Sequence, residues 1–390
     1  MQLKYLTDYK LSGRKVMLRV DFNPRLKDGP IVNEERIDRS LPTIQHILNE
    51  GASLIIVSHL GRPEETNEVQ KEFSLKPIAL SLEKKLKMPV DLKRDLSSIK
   101  QSSEDLLMLE NIRFFKGEKS NDSNLAKDLA GLCDIFVMDA FATAHRAHAS
   151  TTAILDFVDQ ACAGLLIKQE LQALDRIDNA EKPIVIVLGG AKISTKLPLI
   201  NALLDKVDHL ILGGGIANTC IAAQGLEIGK SLIESSLVSE VKSLINEDNV
   251  ILPSRVLVAE NKEAEAREVD IDSLTKNDAI FDVSPTFIHS LEKIFNEAAT
   301  IVWNGPMGLF EQDQFSLGTQ AVANLIARSE AYSIIGGGDT ISAASMSGVL
   351  DSINYISTGG GALLEYLAGK SLPALAALQK KALERVDNGA

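Results

Sequence analysis

Cysteine is scarce in this chain, and the scarcity removes two kinds of architecture at once. Its 390 residues include only Cys133, Cys162 and Cys220, far apart and without C-x-x-C spacing. Neither a disulfide framework nor a cysteine zinc site follows from such a set, and a reducing, cytoplasmic setting is the expectation. The three thiols belong in the core as small apolar residues. Long hydrophobic runs are missing too: nothing approaches the roughly 20 residues that span a bilayer, and the opening MQLKYLTDYK has no signal-peptide core. Positive charge is in deficit, with 41 Lys and Arg against 53 Asp and Glu and a net charge of −12. That balance argues against nucleic acid or an anionic membrane as partner. Any anion site must therefore be built locally.

The familiar nucleotide fingerprints are absent as well. GLEIGKS at 225–231 has three residues between its glycines where a P-loop has four, and before the GKS at 369–371 the first glycine position is Leu364. No G-x-G-x-x-G opens a helix after a strand, which counts against a nucleotide-dependent dehydrogenase. No HRD or DFG signature supports a protein kinase.

What is present is an ordinary globular composition, 45% apolar and 24% charged, in a chain long enough for two domains. Apolar strand candidates at 15–22, 53–58, 106–110 and 134–139, then at 183–190, 209–215, 249–259, 300–304, 333–338 and 353–361, alternate with helical periods. The alternation predicts an α/β fold with parallel sheets. In 164–178, Ile167, Leu171, Leu174 and Ile177 form one helical stripe, so this segment is expected to be an interdomain helix. The expected organisation is a first domain over 1–163, that helix, a second domain over 179–370, and a helical segment 371–390 packing back toward the first. No repeat or low-complexity tract interrupts it.

Glycine and arginine divide the chain. Nineteen of 26 glycines follow residue 178, many of them closing apolar runs, while nine of fourteen arginines precede residue 150. Glycine at the end of a parallel strand lets backbone N–H groups face a phosphate at the next helix start. GGAKISTK at 189–196 adds Lys192 and Lys196, one face of a helix if a helix begins there; a solvated lysine pair is the alternative. GGGDT at 336–340 sets Asp339 beside such a cradle, either as an N-cap or as the acidic partner of Mg²⁺ on a nucleotide. In the first half, Asp21 and Asn23 after a strand suit hydroxyls, or are turn formers ahead of Pro24. His59 and Arg62 of SHLGRP, Arg113 after LLMLEN, and His145, Arg146 and His148 of HRAH leave strands at what could be one sheet edge. The two histidines of H-x-x-H are open as core residues or metal ligands. One half holding a nucleotide and the other an anion suggests phosphoryl transfer.

Taken together and in order, VDFN, SHLGRP, LENIRF, DAFATAHRAH, GGAKISTK, WNGPMGLFE, GGGDT and STGGGA closely resemble the phosphoglycerate kinase family, from about residue 16 to 365. The resemblance implies two similar-sized α/β domains, each a parallel sheet flanked by helices, joined by an interdomain helix and a hinge near Glu170 and Thr358. It implies 3-phosphoglycerate or 1,3-bisphosphoglycerate at Asp21, Phe22, Asn23, Arg36, His59, Leu60, Gly61, Arg62, Arg113 and Arg146. It implies ADP or ATP at Gly190, Lys196, Gly214, Asn304, Pro306, Glu311, Gly337, Gly338, Asp339 and Thr340, with Glu311 on the ribose and Asp339 near Mg²⁺. Lys192 and Arg36 are expected to meet the phosphoryl group in transit.

The sequence departs from the family pattern at four places: Pro24-Arg25 for a usual Val-Pro, Ala142 for a glycine, Ser284 for the glycine of DIGP, and Pro253-Ser254-Arg255 for Pro-Val-Asp. The expected chemistry is direct in-line transfer between an acyl phosphate and ADP on domain closure, in a monomer. A carboxylate nucleophile is ionised at neutral pH and needs no general base. A nucleotide-responsive binding protein that has lost transfer chemistry is the alternative, and intact Lys192, Arg36 and Asp339 argue against it.

Overall fold

Residues 2–24, 26, 30–178 and 180–387 are described by the structure, a computed structural model; Arg25 lies outside them. Fifteen strands run through the described residues: β1 Lys15–Arg19, β2 Ser53–Val57, β3 Asp91–Lys93, β4 Leu106–Leu109, β5 Ile135–Met138, β6 Gln160–Ala163, β7 Ile184–Leu188, β8 His209–Leu212, β9 Val250–Ile251, β10 Arg255–Ala259, β11 Arg267–Asp270, β12 Ala279–Val283, β13 Thr300–Asn304, β14 Tyr332–Gly336 and β15 Tyr355–Ser357. The chain divides into two compact units, Met1–Gln172 with Ser371–Ala390, and Ala173–Lys370. The first division falls inside the helix Leu165–Asp178.

The first unit is a six-stranded sheet in the order β3-β4-β2-β1-β5-β6, parallel throughout. Its central strands read VMLR, LIIV, LLML and IFVM and are buried on both faces, as helix-covered parallel strands must be. Val16, Leu18, Leu54, Ile56, Ile135 and Val137 meet Ile37, Ile44 and Ile47 of the helix Glu35–Asn49 in one core. Cys162 sits in that core and Cys220 is buried in the second unit, while Cys133 is half-buried; all three are free thiols. The helix Leu165–Asp178 buries the stripe Ile167, Leu171, Leu174 and Ile177. Its start is fixed by Asp139 at the end of β5, which accepts from Ile167 N at 2.9 Å and from Thr43 Oγ1 at 2.5 Å. The helix Pro373–Asp387 packs on β6, and Ala374 N donates to Ala144 O at 3.1 Å.

The second unit has a six-stranded parallel sheet in the order β15-β14-β13-β7-β8-β9. Chain order runs outward from β7 to β9, then restarts on the other side at β13. The doubly wound arrangement therefore reverses between β7 and β13, and the reversal opens a crevice at the carboxyl ends of those strands. Trp303, fully buried on β13, anchors the core with Phe295, Ile301, Val322 and Ile335.

The run 249–259 proves to be two strands and not one. Pro253 and Ser254 break it, so β9 closes the parallel sheet while β10 begins a separate antiparallel sheet, β11-β10-β12, that the sequence reading did not anticipate. Proline cannot donate to a ladder, which explains the break.

Candidate active site

In the first unit four adjacent parallel strands, β4, β2, β1 and β5, deliver the basic segments to one sheet edge. Asp21 follows β1 and is buried. Its Oδ2 pairs with the Arg36 guanidinium, which comes from the first turn of the helix Glu35–Asn49, and its Oδ1 lies 3.6 Å from His59 Nδ1. That Oδ1 is shut off from solvent and accepts no hydrogen bond. Asn23 Oδ1 accepts from Gly61 N at 2.9 Å, and Phe22 N donates to Ser58 Oγ at 2.8 Å, so the loops after β1 and β2 hold each other. Buried Leu60 gives its carbonyl to Asn111 Nδ2 at 2.7 Å, tying in the loop after β4.

Arg113 follows Asn111, is buried, and donates through Nη1 to Gly61 O. Burial, with Arg19 and Arg146 nearby, lowers its pKa to about 10, and its Nε is buried without an acceptor. Burial also lowers the Arg36 pKa. His59 is driven well below its ordinary value, first by burial and then by Arg19, Arg113, Arg36 and Arg146, so it is neutral at pH 7. Four guanidiniums acting on one imidazole show that the basic segments converge. Arg62 and Arg146 are exposed at the rim, with Arg146 Nε 3.1 Å from His145 Nε2. His148 is buried, 3.7 Å from Glu118 Oε1, and burial with the surrounding arginines lowers its pKa to about 4.

The sequence reading missed the foundation of this cluster. Arg19, the last residue of β1, is 1% exposed. It donates through Nε to Ser150 Oγ at 2.9 Å and through Nη1 to Val20 O, and its Nη2 lies 3.5 Å from His59 Nδ1. Ser150 in turn donates through N and Oγ to fully buried Glu118 at 2.9 and 2.7 Å. The available signal was an arginine inside an apolar run, KVMLRV, whose strand is covered on both faces; a cation there requires a buried partner.

In the second unit the crevice between β7 and β13 is lined by backbone. A Cβ on Gly189 would fall on the Pro306 carbonyl, and one on Gly305, held at φ +100°, would fall on Gly189. Gly214 packs the same way, where a Cβ would come within 2.7 Å of Gly190 O. Two helices begin here, Gly214–Ala223 and Gly338–Met346, and no side chain caps either one. In the first, Gly214 N donates to Met307 O at 2.9 Å and Ile216 N to Gly190 O at 3.3 Å, so it is the start of the second helix that offers its amides to an anion. Gly337 is the N-cap of the second helix, so Asp339 lies in the first turn, exposed, and not at the cap.

Lys196 Nζ donates to Asn304 Oδ1, Asn304 Nδ2 to Gly336 O at 2.6 Å, and Gly305 N to Thr340 Oγ1 at 2.7 Å. This network joins the loops after β7, β13 and β14, and burial pushes the Lys196 ammonium down to about 8. Lys192 is exposed ahead of a 3₁₀ turn, Ile193–Thr195, and the α-helix begins only at Leu197. The two lysines are thus not a helical pair. Pro198, lacking an N–H, suits the first turn and sets that late start.

Beside these loops is a cavity of about 570 Å³. Gly190, Gly214, Pro306 and Asp339 line one part, and Val256, Ile280, Val283, Met307 and Leu309 give it apolar walls. Glu311, exposed, also lines it. Glycine backbone, the helix start at Gly338, the carboxylates of Asp339 and Glu311 and an apolar slot are the donor set that a Mg²⁺-nucleotide fits.

Known proteins resemble the chain over nearly its whole length. Residues 6–370 match the family model for phosphoglycerate kinase. A curated phosphoglycerate kinase from Coxiella burnetii (strain RSA 493 / Nine Mile phase I) is 48% identical over 388 residues, covering 97% of this chain and 99% of its own. The solved structure of phosphoglycerate kinase from Coxiella burnetii superposes with a TM-score of 0.87 at 46% identity, covering 98% of this chain and all of that one. The crystal structure of phosphoglycerate kinase from Pyrococcus horikoshii OT3 gives 0.86 at 30% identity, covering 97% and 99%.

Proposed function

Because the chain belongs to the phosphoglycerate kinase family, whose members transfer phosphate to and from a carboxyl group in glycolysis, we propose that its first unit binds 3-phosphoglycerate or 1,3-bisphosphoglycerate and its second binds Mg-ADP or Mg-ATP. The observation that carries the first assignment is a pair of orphaned buried atoms, Asp21 Oδ1 and Arg113 Nε, among converging arginines. A lone acceptor and a lone cationic donor call for a ligand bearing both a hydroxyl and an anion. In this reading Arg62, Arg113 and Arg146 hold the phosphate, and Asp21, Asn23 and neutral His59 orient the glycerate. Phe22, Leu60 and Gly61 carry the loops that place them.

On the second unit Gly337, Gly338 and Thr340 present amides and a hydroxyl to phosphate oxygens. Gly190, Gly214, Asn304, Pro306 and Lys196 shape the crevice, and Glu311 takes the ribose. Asp339 would hold Mg²⁺, which supplies charge neutralisation on the nucleotide phosphates when bound. Arg36 and Lys192 neutralise the charge spread over the transferring group's equatorial oxygens. The carboxylate attacks directly, because its pKa near about 4 leaves it ionised without a base. In-line transfer requires reacting atoms about 3–3.5 Å apart, so two half-sites on separate units imply closure during turnover, with Glu170 and Thr358 as hinge positions. We assign the enzyme to the cytoplasm, as a monomer.

The test is ATP- and Mg²⁺-dependent formation of 1,3-bisphosphoglycerate from 3-phosphoglycerate, followed as NADH oxidation through added glyceraldehyde-3-phosphate dehydrogenase. The expected rate vanishes when either substrate or the metal is omitted. A protein that binds both ligands without any rate would be a nucleotide-responsive binding protein instead.

A further inference from the structure

Two of the four departures from the family pattern, Arg255 and Ser284, are remote in sequence but meet in space. Ser284 is fully buried just after β12, and Arg255 opens β10. Ser284 N donates to Arg255 O at 3.1 Å, which extends the β10–β12 ladder by one rung. The Ser284 hydroxyl donates to Glu268 Oε1 on β11 and accepts from Phe287 N at 3.2 Å, so both of its hydrogen-bonding capacities are used. Glu268 Oε1 is also 3.6 Å from Arg255 Nη1, and Arg255 Nε is 2.7 Å from Asp270 Oδ1. The bond from Ser284 is the first cause holding the Glu268 carboxyl below its ordinary range. Ser284, Glu268 and Arg255 therefore close a ring across all three strands.

The outer strand of this sheet needs such a ring. One face of the sheet packs Val256, Val258, Leu274 and Ile280 with Val269 and Ile271 against them, and the other packs Leu257, Ala259 and Phe281 on Phe315. The outer strand β11 is mostly exposed, and the β10–β12 register shifts between Leu257 and Val258. A strand with little apolar anchorage and a bulged neighbour has a weakly specified register.

The ring's place bears on ligand binding. Val256 and Val283 are partners across β10 and β12, and both line the nucleotide cavity. Arg255 and Ser284 are their immediate chain neighbours. We propose that the Ser284–Glu268–Arg255 ring is a positioning clamp that fixes the Val256–Val283 wall of the cavity, making these positions determinants of nucleotide affinity in this chain. The proposal rests on the nucleotide assignment of that cavity.

Calorimetry with Mg-ADP on the full chain, alongside steady-state kinetics and thermal melts, tests it. Ser284→Ala and Glu268→Ala are each expected to weaken Mg-ADP binding about five- to tenfold, the upper range for losing one part-buried hydrogen bond to a charged group. The double variant should be no weaker than the worse single one. Ser284→Thr, which keeps the hydroxyl, should restore affinity, while kcat and the KM for 3-phosphoglycerate stay unchanged. Mg-ADP affinity within twofold of wild type in both alanine variants, with or without a lowered melting temperature, would overturn the clamp. A wild-type chain that does not bind Mg-ADP would overturn the nucleotide assignment itself, which separates the two failures.

Discussion

In the proposed assignment the two units hold a phosphate by opposite means. The first uses side chains: Arg113 and Arg19 are buried, Arg36 is paired to Asp21, and the buried Glu118 carboxyl favours the charged forms of Arg19 and Arg113. The second uses main chain, with glycines packed carbonyl against carbon at Gly189, Gly305 and Gly214 and an uncapped helix start at Gly338. The difference teaches where each site is vulnerable. A side-chain site fails by losing charge balance, because a buried ion without its partner is costly. A main-chain site fails by gaining volume, because there is no side chain to remove and no room to add one.

Lys192 is the exception that breaks the pattern most sharply, an exposed side-chain charge beside a main-chain site. Lys192→Ala is expected to lower kcat about 10³-fold, the scale of losing one preorganised charge in a transfer step. Mg-ADP affinity should change little. Equal losses in the two quantities would make Lys192 a ground-state binding residue. Next in size, Arg19→Met should destabilise the first unit by roughly 3–5 kcal/mol in urea titrations, because Glu118 is left buried without its cation. Mg-ADP binding by the second unit should survive in native buffer. An unchanged unfolding midpoint would mean that the buried network carries no net stability.

Adding volume tests the other side of the comparison. Gly189→Ala places a methyl on the Pro306 carbonyl, and a loss of roughly 1–3 kcal/mol is expected for overpacking at this junction. Calorimetry should show nucleotide binding lost and 3-phosphoglycerate binding kept. Unimpaired nucleotide binding would show that the β7 and β13 loops can part.

The smallest effect is a pH dependence. Lys196 is lowered from 10.5 to about 8 in the folded chain by burial. Between these values the unfolded chain binds more protons than the folded one, so this group's contribution to stability rises with pH. Affinity for an anion runs the other way, falling above pH 8 by at most about tenfold per unit as the ammonium is lost. Lys196→Arg should flatten the affinity profile. A wild-type profile already flat from pH 7 to 9.5 would show that Lys196 does not feel the phosphates.

The parallel sheets were legible because strands buried on both faces must be written as unbroken apolar runs, and IVIVL, HLIL and LLML are such runs. Strands that break the rule were not. β3 is three half-buried residues, DLK; β6 is QACA, with too little apolar mass to register; and β11 is REVD, a solvent-facing edge. The glycine loops could be read because they follow strands directly. Arg19 in KVMLRV could be read only as needing some buried partner, because nothing in the separation from 19 to 118 says that it and Glu118 share a buried serine. Of the four departures, Ala142 lies in a short turn, Phe141–Thr143, and Arg25 falls outside the described residues. Arg255 and Ser284 became informative only once β10 and β12 were seen side by side.

The chain's path between its units has a consequence for its synthesis. The second unit is one continuous stretch, but the first is written in two pieces, with Leu372, Leu375 and Leu378 buried in the piece that comes last. A ribosome working from the amino terminus therefore releases a complete second unit while the first still lacks its closing helix. The arginine-bearing unit, although translated first, is the last to have its full complement of contacts. Until that helix arrives, the face of β6 that it covers is open to chaperones and to neighbouring nascent chains.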